Sequence, residues 1–193
     1  MFSHVFRALL IGSLLLPSNV LAYGEGGGYG APRNAGTAYG TPSGAQANAA
    51  TTNAVVKLLT GGVRGCQRLQ KVYRYDCYSQ VYGQAAGLLR GNPAYSEARV
   101  VLSDVERSLS RTVRRNLDRA QPQVRMGNQQ FRAIRADTLP AAKAAFASAL
   151  EEAETRLLRS SNGQSEHHIR IAAALNSNKV LLRSALLLLR LIA

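Results

Sequence analysis

The chain has 193 residues, 46% of them hydrophobic, which suits one ordinary domain with a single core and leaves some residues over. Its 24 basic and 11 acidic residues give a formal charge of +13. This charge favours encounter with polyanions such as phosphate-rich membrane surfaces, cell-envelope polymers or nucleic acid, although an arginine-rich codon usage explains it equally well. Because net charge governs solubility and encounter, it indicates no particular reaction.

The first 22 residues have the pattern of a cleaved secretory signal peptide. Residues 1–7 are short and basic, residues 8–16 are almost wholly apolar, and residues 20–22 offer a peptidase small or branched side chains. The apolar run is shorter than the ~20 residues that a membrane span needs, so an uncleaved anchor is the weaker interpretation. The mature chain is expected to begin at Tyr23, which excludes a lipid-bearing cysteine there. The sequence therefore predicts an exported protein, periplasmic or extracellular.

Residues 23–54 form a Gly/Ala-rich linker with eight glycines and no aliphatic side chain larger than alanine. Such a segment buries too little apolar surface to offset the entropy lost on ordering, and we expect it to be disordered. As a flexible coil its ends would lie roughly 30 Å apart, so it would act as a spacer that holds the folded domain away from an attachment point.

Residues 55–193 are predicted to be a helical domain, and the strongest helical pattern within it covers residues 93–118. Apolar residues recur there at steps of three and four, which places them on one face of an amphipathic helix. They are Ala98, Leu102, Val105, Leu109, Val113 and Leu117. Pro93 suits the first turn of this helix and Asn92 its N-cap.

A second helix is predicted to start near Thr138, with Pro140 in its first turn, and to end at residues 160–163. On its polar face Glu152 and Arg156 are spaced to form an ion pair. Its apolar face carries Leu139, Ala142, Phe146, Ala149, Ala153 and Leu157.

Two further helices are predicted over residues 165–175 and 177–193, separated by an Asn-Ser-Asn sequence whose side chains cap helices better than they extend them. Residues 123–134 could form a small hairpin that turns at Gly127 and Asn128, but a plain loop is the favoured interpretation. The predicted fold is therefore all-α: an antiparallel bundle of four to six helices with one intrachain disulfide, preceded by the disordered Gly-rich segment.

The only two cysteines, Cys66 and Cys77, are predicted to form that disulfide. Exported proteins with a small even number of cysteines normally pair them, because their compartment is oxidising. On an uninterrupted helix the two residues would lie roughly 16 Å apart, whereas a disulfide needs less than about 7 Å between Cα atoms, so the chain must fold back between them. We expect the glycines before it to make Cys66 a loop residue, and Asp76 to cap a helix that begins at Cys77. These glycines are Gly61, Gly62 and Gly65.

Other uses of these residues fit less well. A thiol oxidoreductase has two residues between its cysteines, and a structural zinc site takes four ligands, whereas the histidines of the mature chain are far from the cysteines in sequence. His167 and His168 are neighbours, so on a helix they point about 100° apart and cannot bind one metal ion together. We expect both to be exposed or to cap a helix, and we predict no metal and no cofactor.

No catalytic site is predicted. The sequence has no P-loop, no glycine-rich dinucleotide motif between a strand and a helix, and no Gly-x-Ser-x-Gly elbow in the mature chain. The acidic cluster at residues 151–154 is typical of a solvated surface rather than of paired catalytic carboxylates. An enzyme remains an alternative only through residues that folding brings together.

The densest basic region predicts an anion-binding surface on Arg111, Arg114, Arg115 and Arg119, although a merely solvated face is the alternative. Guanidinium groups bind phosphate and carboxylate in a bidentate manner, so we expect an anionic envelope lipid or polymer, or another envelope protein, as the partner. Nucleic acid is disfavoured by export and because the region has a single aromatic residue, Phe131, for stacking bases. The region continues with Arg125, Arg132 and Arg135.

Residues 180–193 are the most hydrophobic part of the mature chain, with Arg183, Ser184 and Arg190 as their only polar members. They are few for a membrane span. The favoured interpretation is a central core helix, apolar nearly all round because neighbours surround it. The alternative is a helix that lies in the plane of a membrane with its arginines among the headgroups.

Together these patterns predict an exported, non-enzymatic helical protein that serves the cell envelope as an interaction or structural module with a basic surface. The first alternative is a peripheral membrane protein docked by its apolar C-terminal helix. The second is an enzyme whose site the sequence does not reveal.

Overall fold

The computed structural model describes residues 46–160 and 165–184, which form five α-helices and one hairpin. The hairpin pairs β1 (Val124–Met126) with β2 (Gln129–Phe131) in the connection between α3 and α4. The predicted signal peptide and residues 23–45 of the predicted linker lie outside the described residues. The helices are α1 (Ala49–Cys66), α2 (Arg74–Leu88), α3 (Ser96–Arg115), α4 (Leu139–Arg159) and α5 (Glu166–Ser184).

Each helix packs against the next one in the chain, and α5 also packs against α1, so the helices form a closed ring. Helices α1 and α2 run antiparallel, since Cys66 is bonded to Cys77 and Gly62 lies against Val81. Helices α2 and α3 do so too, since Ser79 contacts Ser110 and Gly83 lies against Glu106. With five helices, however, the first and the last run parallel: Thr52 contacts His167, and Leu59 contacts Asn178 further along both helices. The fold is thus mostly helical with a small sheet, rather than a purely antiparallel all-α bundle.

Helix α2 is the most buried of the five described helices, and its tyrosines also contact helices that are not its neighbours in the ring. Tyr78 stacks on Phe146 of α4 with 5.1 Å between ring centroids, and Tyr82 contacts the same ring edge-on. The core helix that the sequence predicts for residues 180–193 lies mostly outside the described residues, and of those described Leu182 is buried. Val180 is 57% exposed, and residues 185–193 lie outside the described residues. The buried residues of α2 are Tyr75, Asp76, Cys77, Tyr78, Ser79, Val81, Tyr82, Ala85 and Ala86.

The predicted apolar faces of α3 and α4 are confirmed. Asn92 caps the short 3-10 turn that leads into α3 and accepts a hydrogen bond from the Ala94 amide at 3.0 Å. Helix α3 ends at Arg115 rather than at residue 118, because Leu117 pairs with Ile134 in an isolated β-bridge. The buried residues of the predicted stripe in α3 are Ala98, Leu102, Val105, Leu109 and Val113. In α4 the predicted residues Ala142, Phe146, Ala153 and Leu157 are buried, and so is Leu150, whereas Leu139 and Ala149 are half-buried.

Helix α1 begins at Ala49, inside the segment predicted as a linker. Asn48 caps it, since its Oδ1 accepts a hydrogen bond from the Thr51 amide at 2.8 Å. Thr52, which is polar and gives no apolar pattern, is fully buried. The boundary predicted between residues 54 and 55 therefore moves to Ala49.

One helix, α5, replaces the two that the sequence predicts on either side of residues 176–178. Ser177 Oγ donates to the Ala173 carbonyl of the preceding turn at 3.0 Å. Asn178 points inward, and its Nδ2 donates to the Tyr82 hydroxyl at 2.8 Å. Ser177 therefore finds its partner within α5 and Asn178 finds one on α2, so neither residue ends the helix.

The loop favoured for residues 123–134 is instead a hairpin. Met126 pairs with Gln129, which leaves Gly127 and Asn128 as a two-residue turn. Gly127 has a φ of 63°, a left-handed conformation that glycine adopts without steric cost. In this sequence Gly127 and Asn128 therefore indicate a hairpin turn rather than a plain loop.

Cys66 and Cys77 form the predicted disulfide, with 5.7 Å between their Cα atoms. The chain folds back between them, as predicted, but Cys66 is the last residue of α1 rather than part of a loop. The three nearby glycines lie within α1. A Cβ atom on Gly62 would lie 2.9 Å from the Cγ atoms of Val81, so this glycine allows α1 and α2 to pack closely.

Asp76 does not cap α2, which begins two residues earlier, but is buried and binds the residue that follows β2. Its carboxylate accepts hydrogen bonds from three donors of Arg132: the backbone amide at 2.9 Å, Nη2 at 2.7 Å and Nε at 3.2 Å. The Asp76 side chain is 4% exposed and that of Arg132 39%. A buried carboxylate needs such partners because desolvation disfavours its charge.

Replacing both cysteines with alanine is expected to lower the free energy of unfolding by about 3 kcal/mol, because it removes the loop closure that restrains the unfolded chain. Chemical denaturation of the mature protein measures the change, with the oxidised wild-type chain as the reference. The reduced wild-type chain should be destabilised to the same extent. A loss below about 1 kcal/mol would show that the disulfide is not an important restraint.

The Asp76→Asn variant is expected to have a free energy of unfolding about 2 kcal/mol lower than that of the wild-type chain. The substitution removes the negative charge that accepts the hydrogen bonds of the Arg132 guanidinium at a buried position. Asp137→Asn is the matched control, because Asp137 is 73% exposed and pairs with Arg135 at 3.3 Å. This control should change stability by less than about 0.5 kcal/mol. Equal losses in the two variants, measured by denaturation, would contradict a special role for Asp76.

Candidate functional site

Three of the four arginines predicted to bind anions occupy the last turns of α3, and Arg119 lies in the loop beyond. All four side chains are exposed. Within residues 46–160 and 165–184, none of them has a carboxylate oxygen within 4.0 Å. That they bind an anion stays a prediction. We call these four residues, Arg111, Arg114, Arg115 and Arg119, the arginine surface.

The end of α3 does not use these guanidinium groups to satisfy its carbonyls. Asn116 follows the last helical residue, and its Nδ2 donates to the Thr112 carbonyl at 2.8 Å. Its backbone amide also contacts the Thr112 and Val113 carbonyls. Cations near a helix C-terminus interact favourably with the helix dipole, so the arginines also stabilise this end. Their hydrogen-bond donors nevertheless face solvent.

Two of the other three arginines of the basic region have carboxylate partners within the chain, and Arg125 is exposed. Arg132 is held by the buried Asp76, and Arg135 pairs with Asp137. The structure therefore divides the region that the sequence groups together: Arg132 and Arg135 are paired, whereas Arg125 and the arginine surface are exposed with no carboxylate oxygen within 4.0 Å among the described residues. The sequence could not show this division, because Asp76 lies 56 positions from Arg132.

A groove of about 580 Å³ runs between α3 and α4. Of the arginine surface, Arg111 is the member that lines it. Three arginines and two carboxylates border this groove, which leaves it a net charge of only 3 − 2 = +1. The uncompensated charge of α3 therefore lies mainly outside the groove. The charged lining residues are Asp104, Arg107, Arg111, Glu152 and Arg156.

An ion network forms one wall of this groove. Arg156 of α4 donates to Asp104 at 2.6 Å and to Glu97 at 3.3 Å, so it does not form the pair predicted with Glu152. Asp104 also pairs with Arg107. Burial alone would raise the pKa of Asp104, but hydrogen bonds from Arg156 and Arg107 outweigh it and hold that pKa below its usual range. The network ties α4 to α3.

A second polar cluster, which the sequence did not predict, lies where α1 and α5 begin and where the chain enters α3. Tyr95 is fully buried there, and its hydroxyl lies 2.7 Å from Thr52 Oγ1 of α1. The same threonine oxygen lies 2.9 Å from Nδ1 of His167 in α5. The hydroxyl groups of Thr52 and Tyr95 therefore connect α1, α5 and the entry to α3.

His168 is 1% exposed, which contradicts the prediction of an exposed or capping histidine. Its Nδ1 lies 2.6 Å from Oγ of Ser165, the residue that caps α5 and whose Oγ also accepts from the His168 amide. Burial lowers the pKa of His168, the neighbouring His167 lowers it further, and Glu97 acts in the opposite direction. In the sequence, Ser165 indicates this contact, because serine is a good N-cap residue and lies three positions before the histidine.

Among the described residues, no group of three or more His, Cys, Asp or Glu side chains is placed to hold a metal ion. No helix formed by these residues has both the length and the apolar character needed to cross a bilayer.

The full chain matches no protein-family model, no curated protein and no solved structure.

Proposed function

We propose that this chain is an exported, non-enzymatic module of the cell envelope that binds an anionic lipid or polymer through the arginine surface. One observation carries the proposal: four exposed guanidinium groups lie at the end of one helix and in the loop after it, with no carboxylate partner among the residues that the structure describes. An external anion is the partner that would balance their charge.

Export is supported by two independent features. Residues 1–22 have the pattern of a secretory leader. In the disulfide between Cys66 and Cys77 the two Cα atoms are 5.7 Å apart, which lies in the usual range for this bond. Such bonds persist mainly in oxidising compartments, where envelope lipids and polymers with phosphate or carboxylate groups are the abundant anions.

The arginine surface is presented by a helix whose opposite face is fixed in the core. Leu109 and Val113 are buried one turn apart on that face, so the last turns of α3 cannot rotate freely. Guanidinium groups on such a support need to order only their own side chains when they bind phosphate or carboxylate oxygens in a bidentate manner. This arrangement favours recognition of a charged surface or chain rather than of a deeply enclosed small molecule.

Nucleic acid fits this surface less well. The one aromatic side chain of the basic region, Phe131, is fully buried and cannot stack on a base. Binding would then depend on phosphate contacts alone, which an envelope anion offers equally well.

The C-terminal segment supports a second candidate, docking on a membrane. Val180 of α5 is 57% exposed, and residues 185–193, outside the described part, are apolar except for Arg190. A chain that ends at Ser184 separates the two candidates: if it folds but no longer binds vesicles of any charge, membrane docking by the C-terminal residues replaces the arginine surface as the binding element.

The Arg114→Gln/Arg115→Gln variant is expected to bind anionic vesicles about 30-fold more weakly than the wild-type chain, since each basic residue near an anionic membrane contributes about 1 kcal/mol. Co-sedimentation with vesicles of phosphatidylcholine containing phosphatidylglycerol, and with a soluble polyphosphate, measures the effect for lipid and polymer separately. Binding should fall as salt is raised, because screening weakens it.

Arg90→Gln/Arg99→Gln is the matched control for this experiment. Both arginines are exposed, and they border a shallow groove between α2 and α3 rather than the end of α3. The control removes the same charge, so an equal loss of binding in both variants would show that net charge, not the arginine surface, is responsible. Absence of wild-type binding to both the lipid and the polymer would overturn the proposal.

A further inference from the structure

The first turn of α1 is held to the rest of the protein by one buried tyrosine. The Tyr95 hydroxyl donates to the Asn48 carbonyl at 2.8 Å and accepts from the Asn48 amide at 2.9 Å. It also lies 2.7 Å from Thr52 Oγ1. Because Asn48 is the N-cap of α1, this one hydroxyl binds the residue at which the helix starts.

Two histidines of α5 complete this contact. His167 Nδ1 lies 2.9 Å from Thr52 Oγ1, so α1 and α5 share a side-chain hydrogen bond at their first turns. Both imidazole rings contact the ring of Tyr95, with centroids 6.2 and 6.3 Å away for His167 and His168. A change at either imidazole therefore acts directly on the group that holds α1.

His168 is the member of the cluster that cannot accommodate a second proton. Its Nδ1 is engaged by Ser165, and its Nε2 is buried with no hydrogen-bond partner among the described residues. A neutral imidazole leaves one unsatisfied nitrogen there, whereas an imidazolium would place an N–H donor and a positive charge beside a buried ring without an acceptor. Burying such a charge is costly unless it is paired.

We propose that Thr52, Tyr95, His167 and His168 form an acid-sensitive latch, which holds the first turn of α1 at neutral pH and releases it when His168 takes up a proton. Release frees the start of α1 from α5 and from the entry to α3. The residues of that turn would then lengthen the linker that the sequence predicts before α1. This inference does not depend on the arginine surface.

The charged groups that face the latch leave this proton without a nearby free anion. Glu97, at the start of α3, is the carboxylate that acts on His168, and Arg156 of α4 holds it at 3.3 Å. On α5, Glu166 lies 3.9 Å from Arg170, which also contacts Asn53 of α1. The neighbouring His167 also lowers the pKa of His168.

The direction of the pH effect follows from these surroundings. Burial holds the pKa of His168 below its ordinary value of about 6.5, so the unfolded or released state binds the proton more tightly than the latched state. The stabilisation is therefore complete above about pH 6.5 and declines as the pH falls towards the lower value of the latched state. In this interval each pH unit multiplies the opening equilibrium by up to about tenfold.

Amide hydrogen exchange of the mature chain at pH 7 and pH 5.5, corrected for the intrinsic rate, tests the latch. The Thr52 amide, which donates to the Asn48 carbonyl at 3.1 Å, should lose protection at the lower pH. Amides of α2 around Tyr82 should keep theirs and serve as the internal reference. His168→Asn, whose amide can still bond Ser165, should make Thr52 protection independent of pH, whereas His167→Asn should retain the response.

If His168→Asn does not fold, the wild-type chain decides the question. The imidazole signals of His168 must then titrate over the same pH interval in which Thr52 loses protection. Unchanged protection of Thr52 between the two pH values would overturn the latch. So would a titration of His168 that leaves the first turn of α1 intact, or a His168→Asn variant that responds to acid as the wild-type chain does.

Discussion

Two adjacent residues in the first turn of α2, Asp76 and Cys77, fix the arrangement on which the rest of the structure depends. Cys77 is bonded to Cys66 at the end of α1, and Asp76 binds Arg132 immediately after β2. Because both restraints act on one helical turn, α1, α2 and the hairpin are held together at one end of the bundle. Three hydrogen bonds from Arg132 offset the desolvation of Asp76, while the disulfide restrains the unfolded chain.

This corner also positions the arginine surface. The Ile134 amide donates to the Val72 carbonyl at 3.0 Å, and the Arg135 amide donates to the Asn116 carbonyl at 2.9 Å. The chain after the hairpin thus joins the entry to α2 to the end of α3, where the arginine surface lies. Tyr95, which belongs to the proposed latch, precedes the other end of α3. A helix of 20 residues separates the two by about 30 Å, so each acts through its own local contacts.

Periodicity and redox chemistry account for what the sequence could predict. The apolar stripe of α3, the start of α4 and the disulfide follow from spacing, capping and compartment. A helix beginning at Cys77 was predicted, but not its deep burial, because α2 fills the core with tyrosines and small residues such as Ser79, whose sequence pattern is not apolar. Asp76, Asn178 and His168 were interpreted as caps or surface groups, since each is polar. Their partners lie 56 positions away for Asp76, 96 for Asn178 and three for His168, and only the last is visible locally.

The most direct test of this account is the order in which backbone amides exchange in the native state of the oxidised protein. If α2 is the buried centre held by Asp76 and Cys77, its amides from Tyr78 to Ala85 should exchange only through global unfolding, more slowly than those at either end of α3. Exchange of these α2 amides through local opening, faster than that of the amides of α3, would contradict a bundle organised around this helix.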